Sequence, residues 1–236
     1  VKKILITAQL ISVLFLLTGQ DLRLAEIEDQ AIQSICSTIL VDLYKEVGLD
    51  VEIVPMTALR AQQEATSGKV DGEVGRIASY GQIFPQMIKV PTILYSNTTL
   101  AFVRKDSGID HVTKEELKNY RVARIKGVVN TDRLTEKVEQ VYDFDNMEAM
   151  MEFVTMGRAD IALTSRIGGL CTLAATGNDE LTGLPDPVIS QDLFHYLHRR
   201  NSHIVSLIDK KLREFKESGE LEEQILQIEN ELLNKP

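Results

Sequence analysis

Cysteine, basic charge and long apolar runs are all scarce in this 236-residue chain, and each scarcity closes off a class of function. The two cysteines, Cys36 and Cys171, lie far apart, each inside an apolar helical pattern, and read as small buried residues. With no C-x-x-C pair and no histidine–cysteine cluster, the sequence offers no zinc site, and no cofactor is expected. Against 35 Asp and Glu stand 26 Lys and Arg, a net charge of −9 with no concentrated basic face, which argues against nucleic acid as a partner. The apolar run over residues 4–17 falls short of the roughly 20 residues that a helical membrane span needs. Preceded by Lys2 and Lys3, it has the form of a cleavable secretory signal. Residues 1–20 are therefore expected to be removed on export through the inner membrane, leaving a periplasmic protein. Gln20 stands where the cysteine of a lipid anchor would have to be.

The chain as a whole is 44% hydrophobic, enough for one large domain or two lobes with separate cores. Strands and helices alternate. A short apolar strand over residues 22–25 precedes a helix in which Ile32, Ile35, Ile39, Leu40, Leu43 and Val47 recur at three- and four-residue steps, with Gly48 as its stop. A second strand covers residues 51–54, and a helix follows from Thr57 as N-cap to Gly68 as C′ glycine. The third strand is expected over residues 70–75, so that Arg76 stands at its carboxyl end. Ligands of open α/β sheets bind outside those ends, which makes Arg76 a candidate anion clamp, the alternative being an ordinary surface arginine. Pleating predicts Asp71 and Glu73 on one face of that strand and Arg76 on the other.

Residues 76–90 read as irregular, and a strand over residues 99–103 closes the first block. A second block repeats the alternation: strand 121–125, a helix around residues 132–141, helix 147–156 with Asp145 and Glu148 as a capping box and Gly157 as its stop, strand 160–164, and a helix over 167–176 ended by Gly177. A loop over residues 178–187 leads to a strand over 193–199 and two amphipathic helices, whose stripes (Ile204, Leu207, Ile208, Leu212, Phe215; Leu221, Ile225, Ile228, Leu232) require cover by the first block. Alternation of this kind implies parallel sheets with crossover helices. After Gly127, Asn130 and Thr131 lead into a helix whose free N–H groups either receive an anion or are capped by those two side chains. Lys126, Arg60 and Arg166 add positive charge near strand ends or helix starts.

The order of V-D-G-E-V-G-R-I at residues 70–77, E-A-M-M-E-F-V-T-M-G-R-A-D-I-A-L at 148–163, and L-H-R-R-N-S-H-I-V-S-L-I-D-K-K-L followed by E-S-G-E-L resembles the bacterial extracellular solute-binding proteins of family 3, of the polar amino-acid type. The resemblance implies an α/β type II periplasmic binding protein-like fold, each lobe a central sheet flanked by helices, joined by two crossover segments. It implies lobe 1 over residues 21–103, lobe 2 over 104–194, and a return to lobe 1 over 195–236. It implies no enzyme but a monomer that captures a small polar ligand by hinge closure and delivers it to an inner-membrane ABC permease; the alternative is a sensing module for a membrane signalling partner. In the family an arginine of the loop after the third strand holds the ligand carboxylate, near the position of Ile83, which leaves Arg76 displaced. The aspartate that holds the ammonium is replaced by Ser165, followed by Arg166. An ordinary amino acid is therefore a weaker expectation than a ligand bearing a carboxylate or other anionic group, with Arg76, Arg60, Asn130, Thr131, Ser165 and Arg166 around it. Glu26 and Asp29, after the first strand, are the remaining places for an ammonium partner. For catalysis there is no nucleophile–base spacing, and His195 and His198 read as structural.

Overall fold

The computed structural model describes residues 22–28 and 30–234. The expected signal, residues 1–20, and Asp29 lie outside them. Among the described residues, no helix is long and apolar enough to cross a membrane.

Strand β1 (Leu22–Ile27) leads into helix α1 (Ala31–Glu46), whose stripe Ile35, Ile39, Leu40 and Leu43 is fully buried. The chain leaves α1 through Gly48, whose φ of +75° is open to glycine at no steric cost. Strand β2 (Val51–Met56) carries Pro55, which a sheet edge tolerates because an edge residue needs no second ladder bond. Thr57 does precede α2 (Ala58–Thr66), but its side chain makes no capping bond.

Strand β3 is Gly72–Ile77, so Arg76 lies within it rather than beyond it. Against β10 (Ile189–His198), Arg76 faces Phe194 and Glu73 faces Tyr196, three steps on one strand against two on the other. The extra residue is a bulge, and it reverses the alternation of faces. Val74 and Gly75 both turn towards α1, Gly75 against Gln33 and Cys36, and Arg76 falls on the same side as Glu73. The pleating expectation fails at that one residue.

The stretch read as irregular contains a short helix α3 (Tyr80–Ile83) and strand β4 (Met87–Lys89), and the long strand β5 (Tyr95–Arg104) then leaves the first lobe. In the second lobe β6 (Val122–Ile125) precedes α4 (Val129–Leu134), which ends well short of residue 141. Val141–Phe144 is instead strand β7, at the sheet edge and only partly buried, so its apolar pattern is weak. Helix α5 (Met147–Thr155) is capped by Asn146, whose side chain accepts from Ala149 N at 2.9 Å, one residue later than expected. Strand β8 (Ile161–Ser165), helix α6 (Arg166–Thr176) and the short strand β9 (Leu181–Gly183), within the stretch expected as loop, complete this lobe. After β10 the chain ends in α7 (Ser202–Ser218) and α8 (Glu220–Leu233).

All ten strands form one sheet in the order β2-β1-β3-β10-β5-β8-β6-β7, with β4 beside β10 and β9 beside β5. The triplets β2-β1-β3 and β8-β6-β7 are parallel, as the alternation predicts. Between them run the antiparallel strands β5 and β10, paired from Tyr95 opposite Leu193 to Thr99 opposite Ile189. The chain thus passes between two lobes along two adjacent strands. Each lobe carries apolar clusters on both faces of its part of the sheet. The largest joins α1, α7 and α8, so both C-terminal stripes are covered by the first lobe except at Leu207, which lies exposed beside the stripe, and it reaches Ile167 and Cys171 of α6.

Candidate functional site

Carboxyl ends of parallel strands leave main-chain groups and helix starts facing the same space. One cavity of about 480 Å³ takes strand ends from lobe 2 and, from the first lobe, the start of the helix that follows β1. The first lobe contributes the start of α1, Gln30, Ala31 and Ile32. Asn97 and Thr99 of β5 form its floor. Lobe 2 contributes Ile125 at the end of β6, Val128 and the first turn of α4, Thr164 and Ser165 at the end of β8, and Met147. The volume suits a small molecule.

Asn130, Thr131 and Ser165, expected from sequence, are brought together here. Ser165 is the N-cap of α6, its Oγ accepting from Gly168 N at 3.3 Å. Thr131 Oγ donates to Val128 O at 3.0 Å, and the Asn130 side chain donates to Gln191 of β10, tying α4 to the crossing strands. Val128, rather than Asn130 or Thr131, occupies the cap position of α4. Sequence reasoning missed Asn97, Thr99 and the first turn of α1, because nothing in a strand pattern marks which residue lies at the crossing.

The three expected arginines stand elsewhere, each with a carboxylate of its own, and Lys126 is exposed in the turn before α4, outside the cavity walls. Arg76 pairs with Glu73 and donates to Ala58 O at 3.2 Å. Arg60 is exposed on α2 and paired with Glu64 at 2.8 Å. Arg166 turns from the cavity to Glu229 of α8. Glu26, half-buried on β1, accepts from Ser34 Oγ at 3.2 Å and is not among the cavity walls. Arg124, behind α4, is held by Asp132 at 3.1 Å and Asp143 at 2.8 Å. The anion-clamp expectation therefore finds no unpaired arginine in the cavity wall. Helix starts favour an anion by at most about 2 kcal/mol. That is less than the several kcal/mol that desolvating an ion requires.

Behind the first lobe's strands lies a buried polar network. Glu73 accepts from Tyr80 and Arg76, and burial lifts its carboxyl above the usual range, partly countered by Arg76. His195 is fully buried, with Nδ1 2.8 Å from Glu73 O and Nε2 2.9 Å from the Tyr44 hydroxyl. A neutral ring that donates from Nδ1 and accepts at Nε2 satisfies both contacts. Burial lowers its pKa to about 4, against the opposing bonds to the Glu73 and Val74 backbone. Above the unfolded value near 6.5 both states are neutral; as pH falls below it the unfolded chain takes up a proton that the folded chain refuses, and stability is lost. Glu73, with its raised pKa, acts in the opposite sense. The stability advantage of wild type over His195→Gln should consequently shrink by about 2–3 kcal/mol between pH 7.5 and 4.5 in denaturant titrations. A constant difference would mean that His195 takes up a proton in the fold as readily as in the unfolded chain.

Comparison with known proteins follows this geometry. No protein-family model matches the chain. A protein of Shewanella oneidensis, described only as uncharacterized, is 27% identical over 176 residues; the match covers 71% of this chain and 65% of the relative, less than two thirds of its length. Among solved structures, the GluR0 ligand-binding core in complex with L-glutamate superposes with a TM-score of 0.73 at 13% identity, covering 89% of this chain and 98% of that one. A mutant of ArgBP from T. maritima gives 0.63 at 18% identity, covering 87% and 93%. A histidine kinase sensor domain with similarity to periplasmic binding proteins gives 0.67 at 14% identity, covering 88% and 95%. The chain has the two-lobed type II periplasmic binding protein-like fold, that of the family 3 solute-binding proteins its sequence resembles.

Proposed function

We propose that this chain is an exported binding module that captures a small polar molecule in the cleft and closes its two lobes over it. The observation that carries the reading is one cavity walled by the start of α1 from the first lobe and by the ends of β6 and β8 from lobe 2, with the crossing strand β5 as its floor. Two crossing strands permit rotation of one lobe against the other without unfolding either, the geometry of hinge closure. Among the described residues, no group of three or more His, Cys, Asp or Glu could hold a metal ion. Neighbours of this fold support a binding role: one is an amino-acid ABC transporter substrate-binding protein bound to L-arginine, another a histidine kinase sensor domain. We favour delivery of the ligand to an inner-membrane ABC permease from the periplasm, with a membrane sensor as the alternative partner.

Native mass spectrometry of the folded protein after incubation with a small-molecule extract should detect one bound species. Small-angle scattering should show compaction with that fraction, and amide exchange should slow at Asn97, Thr99, Thr131 and Ser165. Binding without compaction, or protection confined to other surfaces, would overturn the reading.

A further inference from the structure

The lobe 2 and floor walls of the cleft hold no charged side chain. Their polar groups are Asn97, Thr99, Asn130, Thr131, Thr164 and Ser165, set among Ile125, Met147 and Leu163. Three of these hydroxyls already make bonds, Thr164 Oγ donating to Met147 Sδ at 3.8 Å, and the bonds of the other two decide which of them keeps a proton. Ser165 Oγ accepts from Gly168 N and so has its proton left to give. Thr131 Oγ gives its proton to Val128 O and so has lone pairs left to accept. One wall thus offers a donor and an acceptor.

We propose that the cleft recognises an aliphatic ligand that meets lobe 2 with an uncharged carboxamide, and that it discriminates against a carboxylate in the same place. The proposal rests on the cleft being the binding site. A carboxamide both accepts and donates, matching Ser165 and Thr131 together; a carboxylate only accepts, and would set its oxygens against the Thr131 lone pairs. Nothing on these walls offsets its charge: Arg166 and Arg124 are neutralised by Glu229 and by Asp132 and Asp143, and Lys126, exposed in the turn before α4, is not among the lining residues. Stacked rings are disfavoured too, since no aromatic side chain lines the cavity among the described residues. Ile125, Met147 and Leu163 suit an alkyl part.

Four probes share one side chain and separate the charge states: L-leucinamide, N-acetyl-L-leucinamide, L-leucine and N-acetyl-L-leucine. Calorimetry should rank each amide at least tenfold tighter than the corresponding acid, whether the amino group is free or acetylated. Val128, 43% exposed at the cleft wall, accommodates a larger side chain, and Val128→Arg should reverse the order by supplying the missing cation. Equal or tighter binding of either acid by the wild-type protein, an unchanged order in Val128→Arg, or no binding of any probe would overturn the proposal. An extract-derived ligand found in the cleft with a carboxylate against lobe 2 would also overturn it while leaving the binding-module reading intact.

Discussion

Arg76→Ala should lower stability by about 3 kcal/mol at neutral pH, the lower end of the range for removing one partner of a buried ion pair. The Glu73 side chain is 2% exposed and that of Arg76 17%, so truncation leaves a carboxylate in the core with only the Tyr80 hydroxyl to hold it. Burial already raises the Glu73 pKa, so without its cation the group is readily neutralised by a proton. The deficit should be small near pH 4.5 and grow as pH rises. Adding Glu73→Gln to Arg76→Ala should recover much of the loss, because the buried group is then neutral at every pH. Urea titrations of the two variants and the wild type decide this. A fully stable Arg76→Ala protein with weakened ligand binding would restore the arginine to the site as an anion clamp.

The second large effect concerns Arg166. Its partner Glu229 is 4% exposed and also accepts from the Tyr95 hydroxyl at 2.8 Å, so one carboxylate of α8 joins the first residue of β5 to the first residue of α6. Arg166→Ala should cost about 3 kcal/mol for the same reason, but the damage should be local to the junction of the lobes. Amide exchange should quicken along α8 and the first turn of α6 and stay unchanged in β1 and β2. Arg166→Ala combined with Glu229→Gln should restore protection. Uniformly faster exchange throughout the chain, or none, would show that the pair is not a local tie.

Both arginines show where the sequence could be read and where it could not. The long helices were legible because their apolar stripes and closing glycines are local signals: Gly48, Gly68, Gly157, Gly177 and Gly219 all adopt positive φ. The short α3 and α4, with one turn or two, carry no such stripe. The alternation of elements gave the two-lobed α/β class. Asn130 and Thr131 were legible as site candidates because they lead into a helix after a strand end, and Ser165 because the resemblance places the ammonium-binding aspartate there. The partners of the arginines were not. Arg166 and Glu229 are 63 positions apart, and their meeting depends on α8 packing across the junction. Glu73 and Arg76 are three apart, yet pleating excludes their contact unless a bulge intervenes, and the bulge is visible only in the register with β10. Strand β7 escaped notice because an edge strand with one exposed face has little apolar signal to give.

The pairing of β5 has a consequence for how the cleft would work. Its residues bond to β10 on one side and, from Thr99 to Phe102, to β8 on the other, so the floor and the lobe 2 wall form one hydrogen-bonded platform. The first turn of α1 belongs to the other lobe, though Ala31 and Ile32 pack on the same apolar cluster as Cys171 of α6. On the binding reading proposed above, choosing a molecule and detaining it fall to different parts of the chain: the platform decides which molecules settle, and Gln30, Ala31 and Ile32 act as a cover whose grip sets how long a settled molecule stays.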